Sequence, residues 1–61
     1  MMQVQNYQHK GVTYEAREQG GQFQFYVEYK SMIHHKFTSE WYDNERDMHN
    51  AARWLIDVYV D

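Results

Sequence analysis

Four histidines, His9, His34, His35 and His49, are the residues of this sequence whose type could support metal binding. His34 and His35 are adjacent in a predicted strand, so their side chains point to opposite faces of the sheet and cannot share an ion without a bulge. No two of the four have the i, i+4 spacing of a helical zinc site, and the chain contains no cysteine. We therefore predict no metal site and no cofactor.

Residues for nucleophilic catalysis are also sparse. Such catalysis needs a serine, threonine or cysteine beside a positioned base. Ser31 and Ser39 lie near predicted strand ends, and neither has a recognisable motif around it. Glu40 and Asp43 could act as acid and base, but acidic residues are common where a helix starts, because the helix dipole favours negative charge there. We expect a protein that is not an enzyme.

A third group of residues could bind nucleic acid. Aromatic and basic side chains share the predicted outer face of the sheet, namely Arg17, Tyr26, Lys30, His34 and Lys36. A ring can stack on an exposed base while the cations bind phosphates. The basic excess is small, however, because residues 1–36 carry four Lys or Arg against three Glu. Binding of single-stranded nucleic acid is therefore the alternative function, and it ranks below protein binding.

The C-terminal segment, which has helical periodicity, carries a tryptophan away from its apolar side. At 100° per residue, Trp54 lies about 130° from the centre of the apolar stripe, and Val58 is also off that centre. An exposed tryptophan beside a valine on a small domain is typical of a surface that contacts a protein. The alternative is that Trp54 folds over the sheet edge or covers the N-terminal segment. We predict Trp54 and Val58 as partner-binding residues, with a homodimer as one form of the contact.

Composition indicates the class of molecule that positions these residues. Hydrophobic residues make up 43% of the chain and aromatic ones 18%, which favours a single folded domain over residues 1–61 rather than a disordered chain. No apolar run approaches the roughly 18 residues of a membrane span, and no signal peptide is recognisable. The absence of cysteine fits a reducing compartment. We expect a cytoplasmic protein that does not bind membranes.

Alternation of apolar and polar residues predicts antiparallel strands. Gly20 and Gly21 separate two of them and allow the positive φ angles of a tight hairpin. A weaker, Gln- and Asn-rich strand would pair through a turn at Lys10–Gly11. The predicted strands cover residues 12–17, 22–30, 32–38 and, for the weaker pattern, 4–8.

The last third of the chain changes to helical periodicity. Apolar residues recur along one side of a helix at Met48, Ala51, Ala52, Leu55, Ile56 and Tyr59. Asp43 or Asn44 can cap its first turn, where Glu45 and Asp47 add favourable negative charge. The predicted core consists of Phe23, Phe25, Val27, Ile33, Phe37, Met48, Leu55 and Ile56. We predict an α+β fold, with an antiparallel sheet of three or four strands and one C-terminal helix packed on one face (βββα).

Two short motifs resemble those of small phage and prophage domains. The segment from Tyr7 to Val12 matches a Y-x-x-[KR]-G-[FVY] opening before a hairpin, and residues 51–57 match an A-A-R-x-[WL]-I-D helix. The resemblance spans most of the chain and implies the βββα order and an accessory or host-takeover setting. It transfers no functional residue. Together with Trp54 and Val58, it leads us to expect an accessory module that acts through protein–protein contact.

Overall fold

The computed structural model describes residues 2–29 and 36–60, and in these ranges four antiparallel strands precede one helix. The elements are β1 (Gln3–His9), β2 (Val12–Gln19), β3 (Gln22–Glu28), β4 (Lys36–Thr38) and α1 (Glu45–Val60). The strands lie in the order β1-β2-β3-β4, so each one pairs with the strand before it in the chain. The predicted α+β fold is confirmed, with the sheet in its four-stranded form.

The first two hairpins close through turns in which both central residues have positive φ. Lys10 and Gly11 have φ of 52° and 79°, and Gly20 and Gly21 have φ of 60° and 79°. Positive φ at both positions is the pattern of a type I′ turn, whose twist matches that of paired strands. The turn at Lys10–Gly11 explains why β1 forms a seven-residue strand despite its weak β propensity.

The core lies between the helix and the two middle strands. Alternate residues of β2 and β3 point toward α1 and are covered by it. The buried hydrophobic residues form one cluster of Val12, Tyr14, Ala16, Phe25, Val27, Met48, Ala52 and Ile56. Because alanine is small, the fully buried Ala52 lets the helix approach the sheet closely.

The prediction that Phe37 belongs to the core is wrong. Phe37 pairs with Val27 and so points to the helix side, where its ring packs against Phe25 with centroids 5.6 Å apart. It nevertheless keeps 40% of its surface exposed, because the helix packs on β2 and β3 rather than on β4. Leu55 is half-buried at the side of the core. The predicted core residue Ile33 lies outside the described residues.

Ser39, to which the sequence assigns no role, connects β4 to the rest of the sheet. Its N–H donates to the carbonyl of Phe25 at 2.9 Å, and its Oγ accepts from the N–H of Phe25 at 2.9 Å. Backbone pairing with β3 resumes at Tyr42, which lies opposite Phe23. Between Thr38 and Tyr42 the chain contains one more residue than the stretch of β3 that it faces. This is a β-bulge in which a buried hydroxyl replaces a backbone acceptor.

The helix begins where the sequence predicts, and Asn44 is its cap. Asn44 Oδ1 accepts from the N–H of Asp47 at 2.9 Å, and Asn44 Nδ2 donates to Asp47 Oδ2 at 3.0 Å. Glu45 and Asp47 place negative charge in the first turn, which the helix dipole stabilises. In the part of the chain that the structure describes, no helix combines the length and apolar character needed to cross a membrane.

Candidate functional site

Helix α1 has a different chemistry on each of its two long sides. One side turns toward the β1–β2 hairpin through His49 and Asp57, which both contact residues of that hairpin. The region that carries Trp54 and Val58 lies about 140° to 180° around the helix from His49, at 100° per residue, and Asp57 is at its border. We call the first the polar side and the second the Trp54–Val58 surface.

On the Trp54–Val58 surface, two large hydrophobic side chains lie in solvent. Trp54 is 66% exposed and Val58 is 56% exposed, and no other large hydrophobic residue in the described ranges is as exposed. They are four residues apart on the helix, so they are neighbours on its surface. The half-buried Ala51 and Leu55 connect them to the core. Trp54 therefore does not fold over the sheet, and its apolar area is available to a partner.

On the polar side, Asp57 is held by two groups from the first hairpin. Its Oδ1 lies 2.7 Å from His9 Nε2 and 3.1 Å from Lys10 Nζ. Hydrogen bonds from His9 and Lys10 lower the pKa of Asp57 below its ordinary 3.8. These contacts attach the C-terminal half of the helix to the turn that follows β1.

A second contact attaches the middle of the helix to β1 and β2. Tyr14 Oη lies 2.7 Å from His49 Nδ1, and the His49 ring meets the Tyr7 ring edge to face, with centroids 4.6 Å apart. Burial raises the pKa of Tyr14, while the nearby Arg53 acts in the opposite direction. The phenol therefore keeps its proton and can donate it to Nδ1. His49 is thereby fixed against the sheet.

Glu45, His49 and Tyr14 form a chain of carboxylate, imidazole and hydroxyl. His49 Nε2 lies 3.5 Å from Glu45 Oε2, and Nδ1 bonds the Tyr14 hydroxyl. Such an order can activate a nucleophile. Tyr14, however, is only 3% exposed, so a substrate could not reach its oxygen. The three groups thus have a structural role, through the hydrogen bond between Tyr14 and His49 and the longer contact of His49 with Glu45. The Glu45–His49 spacing is visible in the sequence, but the contact with Tyr14 is not.

The outer face of the sheet contains the described residues of the nucleic-acid alternative. Arg17 Nε donates to Glu15 Oε2 at 2.6 Å, and the guanidinium lies 5.0 Å from the centroid of the Tyr26 ring. Lys36 lies opposite Glu28 in the backbone register of β3 and β4. The cations of this face are thus close to carboxylates, and Arg17 occupies one approach to the ring that would stack on a base.

The remaining residues of that alternative, Lys30 and His34, lie outside the described residues, as does His35. The two described histidines, His9 and His49, both contact the opposite element of the fold. Within residues 2–29 and 36–60, no three His, Asp or Glu side chains are grouped so that they could hold a metal ion.

Two candidate surfaces thus result from the geometry. The Trp54–Val58 surface is apolar and exposed, whereas the basic residues of the outer sheet face lie near acidic ones. The motif resemblance to phage domains stays a prediction. No protein family matches the chain, and no curated protein or solved structure is significantly similar to it.

Proposed function

We propose that this protein is a small accessory binding module that acts through protein–protein contact at the Trp54–Val58 surface. The observation that carries the proposal is the exposure of Trp54, at 66%, beside Val58, at 56%. Tryptophan is enriched among the residues that contribute most to protein interfaces. The motif resemblance adds a cytoplasmic phage or prophage setting to the proposal, and a second copy of the chain is the first partner to test.

Polar residues surround this apolar pair. Asn50 lies one turn before Trp54 and accepts a hydrogen bond from Arg53 at 2.7 Å. Asp57 precedes Val58, and its carboxylate contacts His9 and Lys10 of the first hairpin. A small apolar centre with a polar rim is the usual anatomy of a protein interface. Since the apolar area is limited, the fitting partner offers a concave apolar pocket for the indole ring.

The size of the domain also favours a partner. A chain of 61 residues buries only about 60% of its unfolded surface when it folds alone. Small domains usually gain further stability from disulfides, metals or association, and this chain has no cysteine. Each apolar Å² that a partner covers contributes about 25 cal/mol. Covering Trp54 would therefore stabilise the folded domain as well as the complex.

Nucleic-acid binding by the outer sheet face receives less support. Glu15 and Glu28 offset the charges of Arg17 and Lys36 in the described part of that face. Affinity for phosphates depends on a surplus of cations and weakens as salt displaces them. Binding of a labelled single-stranded oligonucleotide that falls steeply with salt would favour this alternative over the proposal.

Trp54→Glu tests the proposal, with Gln19→Glu as its matched control. Both substitutions add one negative charge at an exposed position, but Gln19 is at the end of β2, away from the Trp54–Val58 surface. We expect the wild type and the control to bind the same partner, either a second copy in sedimentation velocity or a protein captured from host lysate. Trp54→Glu should lose that partner while its circular dichroism spectrum stays that of the wild type. Full binding of a captured protein by a folded Trp54→Glu variant would contradict the proposal, whereas self-association that Trp54→Glu leaves intact lies at another surface.

A further inference from the structure

Strand β1 forms one edge of the sheet, and among the described residues no strand lies on its outward side. A two-residue hairpin closes on a hydrogen-bonded pair, here His9 with Val12. Alternate residues of β1 therefore direct their N–H and C=O groups toward β2, and the others direct them outward. The outward residues are Val4, Asn6 and Gln8. Each offers one backbone donor and one acceptor to a further strand.

The β1 edge lacks the features by which proteins block strand pairing. Those features are charged side chains, proline, bulges and short length. β1 runs for seven residues without Asp, Glu, Lys, Arg or Pro, and it pairs with β2 in continuous register. The other edge strand, β4, has three residues and carries Lys36. The contrast between the two edges indicates that β1 is the one open to pairing.

We infer that β1 pairs in antiparallel fashion with β1 of a second copy, joining the two sheets into one. A two-fold axis at Asn6 pairs the whole strand, with Asn6 facing its own symmetry mate and Val4 facing the partner's Gln8. This register uses the outward backbone groups of all three residues. A second copy fits because the strand is uncharged and rich in amides, so it meets itself without repulsion.

Side chains on the helix side of β1 fit the same arrangement. Tyr7 Oη donates to Gln5 Oε1 at 2.7 Å, and the axis places the partner's Gln5 opposite Tyr7. The two Gln5–Tyr7 pairs would thus form one polar cluster over the seam. An open cleft over the helix-side face of the sheet, lined by Gln3 and Gln5 of β1 and by Glu45 at the start of α1, lies next to this seam.

This contact is independent of the proposed function. A two-fold axis perpendicular to the sheet leaves both helices on the same face. The Trp54–Val58 surface turns away from β1, because it lies about 140° to 180° around α1 from His49, whose ring contacts Tyr7 of β1. A dimer formed through β1 therefore leaves both copies of the Trp54–Val58 surface free for a different protein.

Single-cysteine variants test the register, because the chain has no cysteine of its own. Asn6→Cys should crosslink to itself under mild oxidation, since facing residues of a paired strand have Cα atoms about 5.5 Å apart, within disulfide reach. Val4→Cys and Gln8→Cys are the matched controls. Each should stay uncrosslinked alone, and a mixture of the two should give the crosslinked pair. Crosslinking of all three alone to the same extent would overturn the register.

Sedimentation velocity and amide hydrogen exchange test the pairing itself. We expect a concentration-dependent dimer in which the amides of Val4, Asn6 and Gln8 gain protection. Asn6→Pro removes an outward N–H but no bond to β2, so it should give a folded monomer. Asn6→Thr keeps the N–H and should keep the dimer.

Two results would overturn the inference. One is a wild type that stays monomeric at millimolar concentration with those amides unprotected. The other is a dimer that survives Asn6→Pro and is lost in Trp54→Glu, which would locate self-association on the Trp54–Val58 surface. Loss of a different partner in Trp54→Glu, with the dimer intact, supports both proposals separately.

Discussion

On its polar side, helix α1 is joined to the first hairpin by contacts of 2.7 Å from His49 and Asp57, whereas on its other side Trp54 and Val58 lie in solvent. The polar contacts join residues 35 and 48 positions apart in the chain. Hydrogen bonds are directional, so these contacts fix the rotation of the helix on the sheet. The polar contacts thus reinforce the rotation that the buried Met48, Ala52 and Ile56 require, and this rotation leaves the large apolar side chain of Trp54 exposed.

The largest loss of stability is expected from substitutions of the buried α1 residues that face the sheet. Met48 is fully buried, and Met48→Ala should lower the free energy of unfolding by about 2–5 kcal/mol. Leu55→Ala should cost less, because Leu55 is only half-buried. Urea denaturation measures both variants. Equal losses would show that the core extends further toward the Trp54–Val58 surface than the structure places it.

The strands and the helix could be predicted because their signals are local. Alternation and helical spacing identify which residues share a face, and the turn at Lys10–Gly11 fixes β1 where strand propensity is weak. Alternation also places Phe37 correctly on the helix side. It cannot tell how far across the sheet a single helix reaches, and Phe37 lies beyond that reach.

The exposed position of the candidate surface could likewise be predicted from the sequence, whereas the contacts of the polar side could not. The exposed position of Trp54 follows from helical spacing within a few residues. The contacts of His49 and Asp57 depend on the orientation of the helix over the sheet, which no local pattern contains. The role of Ser39 is equally hidden, because it needs a partner strand already in place.

Tyr14→Phe tests the hydrogen bond between the Tyr14 hydroxyl and His49 on the polar side. It removes the donor to His49 Nδ1 and should cost about 1–3 kcal/mol, since a largely buried acceptor loses its partner. Tyr26→Phe is the matched control, because that hydroxyl makes one exposed hydrogen bond of 3.4 Å to Glu28. It should change stability by less than about 0.5 kcal/mol. Equal effects in thermal melts would mean that the contact with His49 does not hold the helix.

The pH dependence of stability tests the contact between Asp57 and the first hairpin. Its pKa is lower in the folded chain than the ordinary 3.8, so its contribution is present above that value and lost as the pH falls through the folded-state pKa. We expect the Tm of Asp57→Asn to fall less than that of the wild type between neutral pH and a pH below 3.8. Glu40→Gln serves as the exposed control. Identical pH profiles for wild type and Asp57→Asn would contradict the role of the contact.

The smallest effect on stability is expected on the Trp54–Val58 surface. Trp54→Ala removes a side chain that is 66% exposed, so the free energy of unfolding of the monomer should change by less than about 0.5 kcal/mol. Denaturation at low protein concentration measures it without contributions from association. A loss as large as that of Met48→Ala would show that Trp54 serves the core and is not reserved for a partner.

Because each strand pairs with the strand just before it, the sheet can form from neighbouring parts of the chain. Short turns make loop closure fast and its entropic cost low. The helix contacts at His9 and Tyr14, by contrast, bridge long separations along the chain and must follow the hairpins. We therefore expect docking of the helix to limit the folding rate, and its detachment to be the first step of unfolding.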